Sequence, residues 1–359
     1  MSKQNQISPM MTHYLQMKEK YKDCILFYRL GDFNELFYED AIKISQELEL
    51  ALTGKSCGLE DKAPMCGVPY HAAEGYIAKL LAKGYKVAIC EQLNEAGKGV
   101  KVERDVVRVI TPGTVTDDSM LDSNKNNYLM SMFLQDGKLS VVYCDITTGD
   151  TNLCFFDGGL ESNFSDLLNR IMPSQVIGNA DAKEFYNSLP ILRFGVYPKF
   201  EEYYEYAFSF EKAKENVCNQ FGENALNVFE LKTNKTDVPA IGAMLEYLQE
   251  TQKRSLKNIV KINKVKNSQF MTIDMNTRRN LELVESIRER KKYGSLLWLM
   301  DKTKTSMGGR RFRAMFDQPL QNPTEINDRL DSVEELTKNL ILRDKLEDAL
   351  SKVFDIERI

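Results

Sequence analysis

The hydrophobic periodicity of this chain changes character near Val238, and that change bounds what it can fold into. Before it, short β-branched or aromatic runs alternate with helically spaced segments. The runs are Ile25 to Leu30, Val87 to Cys90, Val106 to Thr111, Tyr128 to Leu134 and Leu139 to Cys144. After it the spacing is helical, with Ile241, Met244, Leu245 and Leu248 on one face. The pattern predicts α/β units followed by an all-helical region. Ser8-Pro9 reads as a helix N-cap with proline in the first turn. Helices are expected over Glu39 to Leu48 and Ala72 to Lys83, the second stopped by Gly84. Asp136-Gly137 joins two strand-like runs as a hairpin. Pro112-Gly113 opens a polar stretch that reads as a linker. Asp274 is expected to cap a helix from Met275 to Arg290. Leu296 to Met300, Gly308 to Phe316 and Ile326 to Leu336 continue the pattern. The last helical stretch runs to Ile359 with no glycine, proline or polar tail, so the expectation is a piece of something longer.

With 359 residues the chain has room for two or three cores. No apolar run approaches the length of a membrane span, and the first residues lead into no apolar segment of the secretory kind. A cytoplasmic protein is expected. Seven scattered cysteines without a CxxC pair read as reduced thiols rather than disulfides or a zinc site. Two histidines, His13 and His71, leave little for histidine-based metal or nucleophilic chemistry. The net charge of −4 hides a segregation. Residues 252–313 carry 17 Lys and Arg against 5 Asp and Glu, whereas the first 112 residues balance at 15 against 15. Such a basic block can neutralise phosphates and release counterions, or simply form a solvated face.

Several motifs carry chemistry. Gly31-Asp32-Phe33-Asn34-Glu35-Leu36-Phe37 sets an aromatic ring and a carboxylate two residues apart. Locally it admits two readings. Asp32 could cap a helix with Glu35 at N3, leaving Phe33, Leu36 and Phe37 as core. Alternatively the segment is extended, and Phe33 and Glu35 share a face. Gly67-Val68-Pro69-Tyr70-His71 is a turn leading into a helix, where His71 has no nucleophile for company. Lys98, Lys101, Arg104 and Arg108, in or beside a glycine-containing loop, are candidates for DNA-backbone contact, although Glu103 and Asp105 interleave with them. Gly54-Lys55-Ser56 looks like the tail of a phosphate-binding loop, but Glu49 stands where that motif needs its first glycine. Asp145, Asp150, Asp157 and Asp166 would have to converge to hold metal ions, and their spacing does not compel it. No catalytic residue and no metal site is assigned.

Longer blocks run in order along the chain: Phe27-Tyr28-Arg29-Leu30-Gly31-Asp32-Phe33, Gly67-Val68-Pro69-Tyr70-His71-Ala72, Ala88-Ile89-Cys90-Glu91-Gln92, and Val106 to Thr114. Tyr143-Cys144-Asp145-Ile146-Thr147-Thr148-Gly149, Thr277-Arg278-Arg279-Asn280-Leu281-Glu282-Leu283, Gly294 to Asp301, Met307-Gly308-Gly309-Arg310-Arg311 and Asp328 to Val333 follow. By these blocks the chain resembles the MutS family of DNA mismatch-repair proteins. The resemblance implies an α/β mismatch-recognition domain over 1–113 and a linker over 114–127. It further implies an RNase H-like α/β connector over 128–237, and the truncated start of an all-α core over 238–359. It also implies that Phe33 is a wedge stacked on a mispaired base and that Glu35 contacts the same base. The family usually has Tyr where this chain has Asn34.

Also implied are double-stranded DNA with mismatches or small loops as ligand, a homodimer when intact, and a downstream MutL-like partner. An ATPase site using ATP and Mg2+ would lie beyond Ile359, and the protein would work on the bacterial nucleoid. The rival reading is an RNase H-like metal-dependent nuclease with an appended recognition domain. Three converging carboxylates would favour it.

Overall fold

Ser8 opens the first helix, α1 (Pro9–Lys20), by accepting the Met11 amide at 3.4 Å, with Pro9 in the first turn. The computed structural model describes residues 7–94, 102–193, 196–253, 255–265 and 270–358. It divides into two units, the first formed by Met1–Met120 with Glu246–Leu256. Its sheet comprises β1 (Cys24–Leu30), β2 (Phe33–Phe37), β3 (Thr53–Ser56), β4 (Lys62–Pro69), β5 (Lys86–Gln92) and β6 (Arg104–Ile110), in the order β3-β4-β2-β1-β5-β6. β1 and β5 are parallel and the other pairs antiparallel. A parallel pair needs a long crossover. The chain between them supplies it, with β2 to β4 and the helices α2 (Tyr38–Glu47) and α3 (Ala73–Ala82).

Directly paired residues share a face of a sheet. Leu26 and Tyr28 of β1 and Phe37 of β2 therefore lie together, and Met11 and Tyr14 of α1 bury them. Asp40 of α2 is almost fully buried; its carboxylate accepts the Leu26 amide at 3.0 Å and the Lys18 ammonium at 2.9 Å, tying α1, α2 and β1 together. The polar stretch after Pro112 begins as an anchored turn. The buried Thr111 and Thr114 hydroxyls lie 2.8 Å apart, and Gln252 donates to the Thr114 carbonyl at 2.9 Å.

The second unit is Leu121–Leu245 with Lys257–Ile359. Its strands are β7 (Tyr128–Gln135), β8 (Lys138–Asp145), β9 (Asp150–Phe156), β10 (Gln175–Gly178), β11 (Phe200–Glu202) and the short β12 (Asn263–Lys264), in the order β11-β10-β7-β8-β9-β12. Asp136 (φ 51°) and Gly137 (φ 71°) form the two-residue loop between β7 and β8, the left-handed pair that a type I′ hairpin demands. β7, β8 and β9 form an antiparallel meander. β10 adds parallel to β7, and β11 parallel to β10. Helices α4 (Leu160–Ile171) and α5 (Ala180–Ser188) supply Phe164, Leu167, Leu168 and Tyr186 to a core with Met130, Val141, Tyr143 and Val176. After α6 (Phe210–Phe221) and α7 (Ala225–Val228) comes α8 (Asp237–Gln252). A Cβ on Gly242 would stand 2.3 Å from the Cα of Ala213, so only glycine permits that approach.

The remaining elements are helical: α9 (Met275–Asn280), α10 (Leu296–Met300), α11 (Ser306–Asp317), α12 (Pro323–Lys338) and α13 (Leu340–Leu350). Two expectations are corrected here. Asp274 does cap α9, but the helix stops at Asn280 instead of reaching Arg290. The Glu282 and Leu283 carbonyls accept the Leu296 and Leu297 amides, both at 2.9 Å, so the helical ladder cannot continue through them. Leu283, Val284 and Leu297 then gather in a small core beside Phe312 and Phe316. The last helix likewise ends at Leu350. Beyond it Asp355 accepts the amides of Glu357 and Arg358 and binds Arg310, which draws the backbone out of the helix.

Arg310 is 6% exposed and donates to the Ser123 carbonyl, Asp355 and Glu357 at 2.6–2.9 Å. Its hydrogen bonds hold the Asp355 carboxyl down to about 2 from an ordinary 3.8, against the opposing effect of burial. A carboxyl depressed in the folded state stabilises it above the unfolded value, and that stabilisation is lost as pH falls from 3.8 through about 2. Arg310→Met should therefore cost about 1–2 kcal/mol near neutrality. It should also flatten the acid limb of the stability curve, as urea titrations across that window would register. An acid limb identical to wild type would refute the assignment.

Candidate nucleic-acid interface

The Phe33-Asn34-Glu35 segment is strand, not helix, and its exposure alternates. Phe33 is 46% exposed, Asn34 is buried at 2%, and Glu35 is partly buried. The helix-cap reading of Asp32 is thereby excluded, because α2 begins only at Tyr38. β2 is an inner strand. Leu30 and Pro69 flank Phe33, while Tyr28 and Gly67 flank Glu35. The ring and the carboxylate thus share one face, the face that α1 covers further along at Phe37.

The turn that delivers them is braced. Gly31 adopts φ 59°, which a two-residue loop between Leu30 and Phe33 requires. The Tyr70 amide donates to the Asp32 carbonyl at 2.9 Å. Arg29 donates through Nε to the Gly31 carbonyl at 2.5 Å and lies 3.4 Å above the exposed Tyr70 ring. The bare position at Gly67 keeps the face low: a Cβ there would lie 3.7 Å from both Glu35 Cγ and Phe33 Cδ1. The Glu35 carboxylate is ion-paired with Lys55 of β3. On the opposite face the buried Asn34 Oδ1 has no hydrogen-bond partner among the described residues.

Three family models match the chain in succession: MutS domain I over residues 8–119, MutS domain II over 127–260 and MutS domain III over 276–359. The chain is 46% identical over 364 residues to the DNA mismatch repair protein MutS of Acetivibrio thermocellus, covering 98% of this chain and 40% of that protein. The chain belongs to the MutS family. It is also similar to the MutS of Ruminiclostridium cellulolyticum, at 46% identity over 98% of this chain and 40% of the relative. For the MutS of Lachnoclostridium phytofermentans the figures are 44%, 99% and 38%. The chain thus spans about two-fifths of the length of these curated relatives.

Within the MutS domain I segment, the basic candidates divide. Lys98 and Lys101 lie outside the described residues. Arg104 donates to the Arg29 carbonyl at 3.2 Å and lies over the Tyr28 ring, and Arg108 donates to the Thr116 hydroxyl at 2.8 Å. Both guanidiniums are therefore engaged within the protein. His71 is exposed in a 3-10 turn (Tyr70–Ala72). Burial pushes the Cys24 and Cys90 thiols up to about 12 and Cys66 to about 11, so these are packed thiols rather than nucleophiles. Gly54-Lys55-Ser56 is edge strand, not a phosphate-binding loop.

In the MutS domain II segment, Asp145 is fully buried. Its carboxylate accepts the Asn127 and Thr147 amides at 3.0 Å and the Thr147 hydroxyl at 2.6 Å. Asp150 sits opposite it in the ladder and accepts the Tyr128 hydroxyl at 3.0 Å. Among the described residues no three His, Cys, Asp or Glu side chains are placed to hold a metal ion. Part of the basic block is paired internally: Arg278 with Asp317, Lys292 with Asp301, Arg313 with Glu285, and Arg310 with Asp355 and Glu357. Among the described residues no helix is long and apolar enough to cross a membrane.

Proposed function

We propose that this chain is the recognition part of a mismatch-repair protein, binding double-stranded DNA at mispairs or small loops. Phe33 enters from the minor-groove side and Glu35 meets the displaced base. The observation that carries this reading is the exposed Phe33 ring on the same strand face as the Glu35 carboxylate, in a chain similar to proteins named for DNA mismatch repair. A mispaired step is already poorly stacked and easily bent, so an apolar wedge opens it at lower cost than a matched step. A carboxylate close to phosphates is repelled, and Glu35 therefore penalises ordinary duplex. At a displaced base it recovers the loss by accepting a hydrogen bond. Glu35→Ala is accordingly expected to raise affinity for fully matched duplex by roughly 3- to 10-fold. Titrating matched and mispaired duplexes of one length tests this, and unchanged matched-duplex binding would count against the carboxylate's role.

For the whole protein we propose the wider family arrangement. It is a homodimer in which ATP and Mg2+, held by residues outside this chain, regulate the grip on DNA, with a MutL-like protein as downstream partner. Its place is the bacterial cytoplasm, acting on the nucleoid. Residues 1–113 serve as mismatch-recognition domain, 114–127 as linker, 128–237 as RNase H-like connector and 238–359 as the beginning of a mainly helical core, not all-α as expected, because β12 (Asn263–Lys264) pairs with β9 of the connector sheet. The meander β7-β8-β9 extended by the parallel strands β10 and β11 supports the connector assignment. The nuclease reading is not favoured, since the Asp145 carboxylate is already taken up by the Asn127 amide and by the amide and hydroxyl of Thr147.

A further inference from the structure

Lys55 and Glu35 are twenty residues apart in sequence and meet only because β4 lies between their strands. Lys55 pairs with Ala63 and Glu35 with Gly67 along that strand, and alternate positions on β4 project to one side. The ammonium reaches along this side to the carboxylate, passing 5.8 Å from the Phe37 ring centre. The Glu35 side chain is only 14% exposed, whereas that of Lys55 is 32% exposed. A carboxylate so enclosed needs a charge partner. The ammonium, on a flexible four-carbon stem, keeps a path to solvent.

We propose that Lys55 is a specificity-determining residue that exchanges partners during recognition, moving from Glu35 to a DNA phosphate only when a displaced base donates a hydrogen bond to Glu35. The idea rests on the reading of Phe33 and Glu35 given above. On matched duplex the Watson–Crick donors are engaged in pairing and the bases stay stacked away from the enclosed carboxylate, so Lys55 is not replaced there. The ion pair stays closed and a phosphate contact is forgone. At an unstacked mispair the base takes over the carboxylate, and the released ammonium neutralises a phosphate. Discrimination then arises twice from one event, through the base hydrogen bond and through the added backbone contact.

Counterion release gives the exchange its own signature. Each phosphate neutralised adds about 0.9 to the slope of log affinity against log salt concentration. The wild-type chain should show a slope steeper by about 0.9 on a mispaired duplex than on the matched duplex of equal length. Lys55→Met should bring the two slopes together, and Lys55→Arg should restore the difference. In a Glu35→Ala background Lys55 is released on both duplexes, so the slopes should again coincide, at the steeper value. Equal slopes in a wild-type chain that still prefers the mispair would overturn the exchange and leave the wedge standing. So would a difference that survives Lys55→Met. Absence of any preference for the mispair in the wild type would overturn both.

Discussion

Phe33→Ala is expected to erase the preference of this chain for a mispaired duplex while leaving its fold intact. Base–aromatic stacking contributes about 1–3 kcal/mol per base and tolerates any base, which suits a reader of many mispairs. Its loss corresponds to roughly 5- to 150-fold in affinity for the mispaired duplex, with little change on matched DNA. Stability should stay within about 0.5 kcal/mol of wild type, because the ring is half exposed. Fluorescence anisotropy with two duplexes differing at one position reads the first effect, and thermal melting reads the second. A folded Phe33→Ala variant with undiminished preference would remove the wedge from the mechanism.

Asp40→Ala should produce the largest loss of stability of the substitutions considered. The carboxylate is nearly dehydrated and satisfies two groups together, the Leu26 amide inside the sheet and the Lys18 ammonium. Removing it strands a buried N–H and a partly buried charge, a loss of about 3 kcal/mol. Asp40→Asn, which keeps an acceptor for the Leu26 amide but no charge, should fall between. Urea unfolding of the three proteins measures the series. A loss below about 1 kcal/mol for Asp40→Ala would mean that water or another acceptor replaces the carboxylate.

Local chemistry made much of this fold legible. Ser8 and Asp274 cap helices as their side chains dictate, and Asp136-Gly137 turns the hairpin that its left-handed conformations require. Pairing between distant segments was not legible. Nothing in the sequence around Glu282 and Leu283 says that their carbonyls will be claimed by Leu296 and Leu297. Helical spacing therefore carried the expected helix ten residues too far. The site shows the same division. The extended geometry of Phe33 to Glu35 was one of two local readings, and strand pairing with Leu30 and Pro69 decides between them. In the sequence Lys55 stands out only as part of a glycine-lysine-serine motif, because its partnership with Glu35 depends on strand order. Arg104 and Arg108 looked available for phosphates. Their engagement with the Arg29 carbonyl and Thr116 depends on folding that no local pattern announces.

The aromatic tip of β2 stands on a strand laddered on both sides, with its hairpin turn pinned by Tyr70 and Arg29. A probe mounted so firmly has little compliance of its own. On the proposed wedge reading, the strain of contact with a duplex would fall on the nucleic acid, and the softest base step would yield first. The sheet would in this way turn a difference in DNA stiffness into a difference in binding, much as a hard stylus registers the weak point of a surface that a flexible one would merely follow.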